Sequence, residues 1–192
     1  YLEYRYIRWI ASAINSSFPG KEPLDVVFVG GAGFTLPRWL EATRPGSRST
    51  VLEIDGQLVD FVEERLGLRT SPQLQVSVGD ARIEMLDLPG DSADVVVGDA
   101  FSGLAVPWHL TTTEWMEEVE RVLKPSGIYM ANLIDLPPLG FLKAEGATML
   151  DVFTDVRLIT YVDELGDPVG GNVVALASVR PLPTAARSSA AG

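Results

Sequence analysis

Apolar residues along this chain follow two alternating rhythms. Leu2, Tyr6, Ile10 and Ile14 recur four apart, which predicts a helix over 2–14. After a Pro/Gly-rich break, Asp25-Val26-Val27-Phe28-Val29 is a β-branched run bounded by turn residues, and it predicts a buried strand. That strand runs into Gly30-Gly31-Ala32-Gly33. A short helix is predicted over 36–42, with Pro37 in its first turn. A second strand over 50–54 precedes a helix over 57–66, whose Val59, Val62 and Leu66 share one face. A third strand over 74–78 closes on Gly79-Asp80, and a fourth over 94–98 closes on Asp99. Thr111 and Glu114 then make a Thr-x-x-Glu capping pattern. The helix it opens carries Trp115, Met116, Val119, Val122 and Leu123 on its apolar face, and Pro125-Ser126-Gly127 is predicted to stop it. A fifth strand over 127–133, a helix over 139–152, and strands over 156–161 and 172–178, joined by a Gly/Pro loop, complete the pattern.

Strands alternating with helices imply an α/β fold, a mostly parallel Rossmann-like sheet with helices on both faces. No helical segment separates the last two of its seven strands, so they are expected as an antiparallel edge pair of the class I methyltransferase type. One domain is expected over 1–180, with 181–192, rich in Pro, Ala and Ser, as a loose tail.

Composition narrows the chemistry. The 192 residues are 46% hydrophobic, enough for a sizeable core. Cysteine is absent and His109 is the only histidine, so thiolate and His-rich metal sites are excluded and no metal is expected. The formal net charge of -11 repels phosphate backbones and argues against a nucleic-acid partner. No apolar run approaches the ~20 residues of a membrane span, and no secretion signal stands at the start, so no membrane partner and a cytoplasmic location are expected.

Candidate site residues gather at the predicted strand ends, where open α/β sheets bind ligands. Gly30, Gly31 and Gly33 let the backbone approach a ligand, or simply allow a tight strand-to-helix turn. They miss the G-x-G-x-x-G dinucleotide pattern, because Thr35 stands where its last glycine would. Glu53 closes the second strand about 20 residues past the loop, where an acid can accept hydrogen bonds from both vicinal hydroxyls of a ribose. Asp55 competes, with a helix N-cap as its better reading. Asp80 suits either an N-cap or an adenine amino group. Asp99, at the sheet centre, can hold an amine or take its proton. His109 reads as structural. Trp108 and Phe101 could flank a ring or cover the sheet edge, and Tyr6 reads as packing.

Taken in order, Val29-Gly30-Gly31-Ala32-Gly33, Glu53-Ile54-Asp55, Gly79-Asp80-Ala81, Gly98-Asp99-Ala100-Phe101-Ser102-Gly103 and Pro107-Trp108-His109-Leu110-Thr111-Thr112 resemble the spermidine synthase (polyamine aminopropyltransferase) family, in its actinobacterial-type form. The resemblance runs from Tyr4 to about Ser178. It implies a transferase of polyamine biosynthesis that moves an aminopropyl group from decarboxylated S-adenosylmethionine to an amine acceptor and releases methylthioadenosine. No cofactor is bound permanently. Glu53 would bind the ribose, Asp80 and Ala81 the adenine, and Asp99 would be the catalytic base. The family also implies a homodimer. Gly33 and Ser102 depart from its pattern, since both positions are usually aspartate. The family's N-terminal β-hairpin region would precede the point where this sequence starts. Two other readings stay open: an S-adenosylmethionine-dependent methyltransferase, for which Leu123-Lys124-Pro125-Ser126-Gly127 is also typical, and a non-catalytic adenosyl-binding relative. An NAD-dependent dehydrogenase fits less well, with no Tyr-x-x-x-Lys pair.

Overall fold

In the computed structural model, which describes residues 2–103, 105–162 and 169–182, each predicted strand and helix is present. The order is α1 (Arg5–Ser17), β1 (Asp25–Val29), α2 (Thr35–Thr43), β2 (Arg48–Glu53), α3 (Gly56–Leu66), β3 (Leu74–Val78), α4 (Ala81–Glu84), β4 (Ala93–Gly98), α5 (Thr113–Val122), β5 (Leu123–Asp135), α6 (Gly140–Val152), β6 (Asp155–Ile159) and β7 (Gly171–Ser178). Single 3-10 turns lie at Met85–Asp87 and Trp108–Leu110.

The sheet order is β3-β2-β1-β4-β5-β7-β6. Strands β1 to β5 pair in parallel, and β7 is antiparallel to both β5 and β6. The antiparallel pair is therefore at the edge as expected, but β7 inserts between β5 and β6 and leaves β6 outermost. The short parallel strands β1 and β4 are almost wholly apolar, as strands covered on both faces must be. Alternate side chains divide the core into two layers. Val26, Phe28, Val95 and Val97 pack against α1, α2 and α3 through Ile10, Leu40 and Val62. Val27, Val29 and Val96 pack against α4, α5 and α6 through Trp115, Met116 and Met149. Chain order reverses at β1, which pairs with β2 on one side and β4 on the other, so a crevice is placed at the carboxyl ends of β1 and β4.

Most boundaries shift by a few residues, and four differences from the sequence expectation have a physical reason. Helix α1 starts at Arg5, although Leu2 still packs against the core. Thr112, not Thr111, caps α5: its Oγ1 accepts from Trp115 N at 3.3 Å, while Thr111 ends the 3-10 turn and its hydroxyl donates to Trp108 O at 2.8 Å. Helix α5 ends at Val122 and Leu123 already belongs to β5, while Pro125 drives Lys124, the residue before it, toward extended backbone. Leu182, placed in the loose tail, is instead packed: it is buried, its N donates to Asp155 at 2.8 Å and its carbonyl accepts from Arg157 at 2.7 Å. The rest of that tail, and most of the Gly/Pro loop before β7, lie outside the described residues.

At the amino ends of the strands, Lys124 Nζ sits 2.9 Å from Asp25 and 2.8 Å from Asp94, and Arg48 reaches Asp25 at 2.6 Å. This network ties β1, β2, β4 and β5 at the end opposite the crevice. Among the described residues, no helix is long and apolar enough to cross a membrane.

Candidate functional site

The β1–α2 turn is shaped by what a side chain would strike. Gly30 has φ +94°, and a Cβ there would lie 2.6 Å from the Asp99 carbonyl oxygen. The turn can pass that close to the end of β4 only with glycine. A Cβ on Gly31 would meet the Phe34 ring at 2.8 Å. Phe34 is wholly buried and left-handed, at φ 55°, and it anchors the turn from below. Gly33 is different: its Cβ would meet nothing nearer than Thr35 Oγ1 at 3.8 Å.

Glu53 closes the turn from the end of β2. It is 7% exposed. Its Oε2 accepts from Gly31 N at 2.7 Å and Ala32 N at 3.3 Å, and its Oε1 accepts from Asp55 N at 2.9 Å. A carboxylate offers about four acceptor positions. Three are taken by the backbone, so Glu53 shapes the loop and keeps one acceptor position on Oε1. Asp55 is an N-cap, accepting from Gln57 N and Leu58 N. Ile54, between the two acids, is 70% exposed at the crevice edge, an apolar surface that the sequence analysis did not single out.

Asp80 caps α4 through Arg82 N at 2.9 Å, and His109 Nε2 lies 3.3 Å from the same oxygen, Oδ1. Neither contact falls on Oδ2. Ala81, buried behind it, opens α4. Arg82 donates to the His109 carbonyl and to Thr112, which fastens the loop after β4 to the end of β3. His109 is thus tied to a candidate residue rather than standing alone. Trp108 packs edge-on to His109 and is 79% exposed, so it does not cover the sheet edge.

Asp99 has the densest set of partners. Tyr6 Oη donates to its Oδ2 at 3.1 Å, and Asn132 Nδ2 donates to its Oδ1 at 2.8 Å. Asn172 Nδ2 donates to Asn132 Oδ1 at 3.0 Å, which sets the Asn132 amide with its nitrogen toward Asp99. Burial pushes the Asp99 carboxyl up to about 6, while the Asn132 and Tyr6 hydrogen bonds pull it back toward the charged form. The Tyr6 hydroxyl is raised far above its ordinary value, first by burial and then by the Asp99 charge. At neutral pH the group is a partly buried carboxylate, oriented by two donors and able to accept a proton.

The structure therefore brings together the three glycines, Glu53 and Asp99 around the ends of β1, β2 and β4, with Asp80 at the neighbouring end of β3. Tyr6, Asn132 and Asn172 were missed. Tyr6 lies on a helix whose spacing reads as core, and a lone asparagine in a strand carries no local signal. A polar residue inside the apolar run from Ile128 to Leu133 is the one available hint.

Known proteins bear on this arrangement. A polyamine aminopropyltransferase from Vibrio vulnificus is 28% identical over 166 residues, covering 85% of this chain and 55% of that protein. The crystal structure of a probable spermidine synthase from Corynebacterium glutamicum superposes with a TM-score of 0.82 at 33% identity, covering 93% of this chain and 65% of that one. Human methyltransferase-like protein 13, solved in complex with SAH, shares the fold, with a TM-score of 0.80 at 19% identity over 96% of this chain and 86% of that one. The chain thus spans somewhat over half the length of the first two relatives. Residues 27–131, more than half of the chain and the whole stretch from β1 to the middle of β5, match the model of the methyltransferase domain, and the chain belongs to that family.

Proposed function

We propose that this chain binds an adenosyl sulfonium and transfers its aminopropyl group to a small amine. The observation that carries this is the Asp99 centre: a partly buried carboxylate, oriented by Tyr6 and Asn132, whose backbone touches the glycine turn. Similarity to the Vibrio vulnificus aminopropyltransferase over 85% of the chain supports the donor and the reaction type. The co-substrate is decarboxylated S-adenosylmethionine. Gly30 and Gly31 let it approach the backbone, Glu53 accepts from one ribose hydroxyl through its remaining acceptor, and Asp80 offers Oδ2 to the adenine amino group, with Ala81 beneath. Ile54 supplies an apolar face for the ring.

In the reaction, the amine nitrogen attacks the aminopropyl carbon next to the sulfonium. A C–N bond forms as the C–S bond breaks, the bonding pair leaves with sulfur, and neutral methylthioadenosine is released. The proton on the attacking nitrogen passes to Asp99. Positioning and deprotonation are what the protein supplies, because the sulfonium is already a good leaving group. The same proposal places the protein in the cytoplasm as a homodimer, which light scattering on the purified chain tests.

The decisive experiment is Asp99→Asn. It is expected to lower kcat at least ~100-fold, the low end for loss of a positioned base, and to leave adenosyl affinity within about twofold. Activity retained by this variant would remove Asp99 from the mechanism. Methyl transfer from S-adenosylmethionine is the second reading. Gly33 favours it, because the space beside that neutral residue is open to a carboxylate-bearing donor tail. Calorimetric comparison of the two donors decides: a tenfold preference, about 1.4 kcal/mol, for the decarboxylated form supports aminopropyl transfer, and the reverse supports methyl transfer.

A further inference from the structure

Behind the end of β4, on the α5/α6 side of the sheet, Glu145 of α6 points into a small cavity. Glu145 is 3% exposed and, among the described residues, makes no hydrogen bond or ion pair; its carboxylate oxygens keep a little accessible surface, which faces the cavity. The walls are apolar, formed by Val29, Ala100, Val106, Leu110 and Leu133, and the free space is about 10 Å³, room for a single water-sized group. Tyr129 is the other titratable residue on the wall. A Cβ on Gly98 would lie 2.7 Å from its hydroxyl, so glycine there is what makes room for it. Trp115 Nε1 approaches the same hydroxyl at 3.5 Å. Asn132 lines the cavity and also donates to Asp99, so the cavity and the catalytic centre share a wall.

A carboxylate this enclosed and without a protein donor is costly unless water or a ligand supplies the donor. Glu53 and Asp99 are engaged by their own donors, which leaves Glu145 as the carboxylate beside this centre with all its acceptors free. A primary ammonium is about the size of a water and brings three N–H donors. We infer that the cavity is a subsite for a primary alkylammonium group, held by the Glu145 carboxylate with the Tyr129 hydroxyl beside it. This rests on the aminopropyl reading of the Asp99 centre. Two molecules in that reaction carry such a group: the donor, on its aminopropyl tail, and a diamine acceptor, at its far end. Burial alone raises the Glu145 carboxyl to about 7, so an arriving ammonium would draw it into the charged form near neutrality.

Glu145→Gln keeps the shape and removes the charge. Calorimetry on the full chain would compare decarboxylated S-adenosylmethionine with methylthioadenosine, and, with methylthioadenosine saturating, 1,4-diaminobutane with n-butylamine. The wild type is expected to prefer the aminated member of one pair by about tenfold, and Glu145→Gln to abolish that preference while leaving the other pair unchanged. The pair that responds identifies the donor or the acceptor as the source. Glu145→Asp, with its carboxylate drawn back one methylene, is expected to cut the preference by a smaller factor, and it serves if the glutamine variant does not fold. Adenosyl binding by the wild type with both ratios unmoved, within twofold, by either variant overturns the subsite and leaves the aminopropyl reading standing. A wild type that binds no adenosyl ligand overturns that reading, and the subsite with it.

Discussion

If Asp99 is the base of the proposed reaction, it sets the expected pH behaviour. Its carboxyl lies near 6, above the ordinary value, so the base is increasingly protonated as pH falls through that region. The rate kcat/KM should fall on the acid side with a midpoint near 6, and Asp99→Asn should remove that limb. Tyr6→Phe and Asn132→Ala each remove a donor that favours the charged carboxylate. Both should move the midpoint to higher pH, the asparagine change by more, while a merely structural role would lower the rate without moving it. The glycines are separable in the same way. Gly30→Ala puts a Cβ into the Asp99 carbonyl at a strained positive φ. It is expected to destabilise the chain by roughly 1–3 kcal/mol and to weaken adenosyl binding. Gly33→Ala meets no such contact and should stay within about 0.5 kcal/mol of the parent. Urea denaturation of both variants tests the contrast.

Among the elements, caps and a buried guanidinium hold the helices in place. Thr112→Ala should cost about 1 kcal/mol in urea denaturation, and Thr111→Ala clearly less, since the cap of α5 is Thr112. The same substitution frees Arg82 from one of its anchors, so Thr112→Ala is also expected to loosen the loop that carries His109. Arg44, just past α2, is almost fully buried and, among the described residues, has no carboxylate partner. Its donors reach Asn15 Oδ1 at 3.2 Å, Phe18 O and Glu22 O, binding the carbonyl end of α1 to α2. A cation suits a helix carboxyl end. Since α1 also delivers Tyr6 to Asp99, this clamp sits on the element that orients the Asp99 carboxylate.

Across the whole molecule, burial of the site acids makes stability depend on pH. Glu145 has an ordinary value of 4.5 and stands near 7 when folded, with Tyr129 the titratable group facing it. The folded state therefore binds more protons than the unfolded state between those values. Stability contributed by the protonated acid is fully present below about 4.5 and is lost as pH rises through about 7, a change of roughly 3 kcal/mol. Asp99 acts in the same direction between 3.8 and about 6. Thermal melts from pH 5 to 8 should show Glu145→Gln overtaking the parent as pH rises. Equal pH dependence in the two would mean that Glu145 is hydrated rather than buried.

Much of this architecture is written locally. A strand such as Asp25–Val29 is legible because an apolar β-branched run between turn residues has few other stable conformations. The acids at 53, 80 and 99 are legible because they interrupt apolar strands at their carboxyl ends, where an α/β sheet presents residues to a ligand. Glycine at 30 and 31 signals a close backbone approach, although its cause, the Asp99 carbonyl and the Phe34 ring, is not local. Tertiary structure decided the rest. Tyr6 and Asp99 are 93 residues apart, and Asn132 and Asn172 are 40 apart. Their hydrogen bonds exist because β7 inserts beside β5 and α1 packs across the sheet end, and neither event leaves a periodicity in the chain. The same holds for Glu145, which helical spacing cannot distinguish from a solvated residue. Its burial depends on α5 and α6 closing over one side of the sheet. Local sequence specifies backbone conformation and the alternation of faces, whereas the partner, burial and proton affinity of a polar group depend on which distant elements come to surround it.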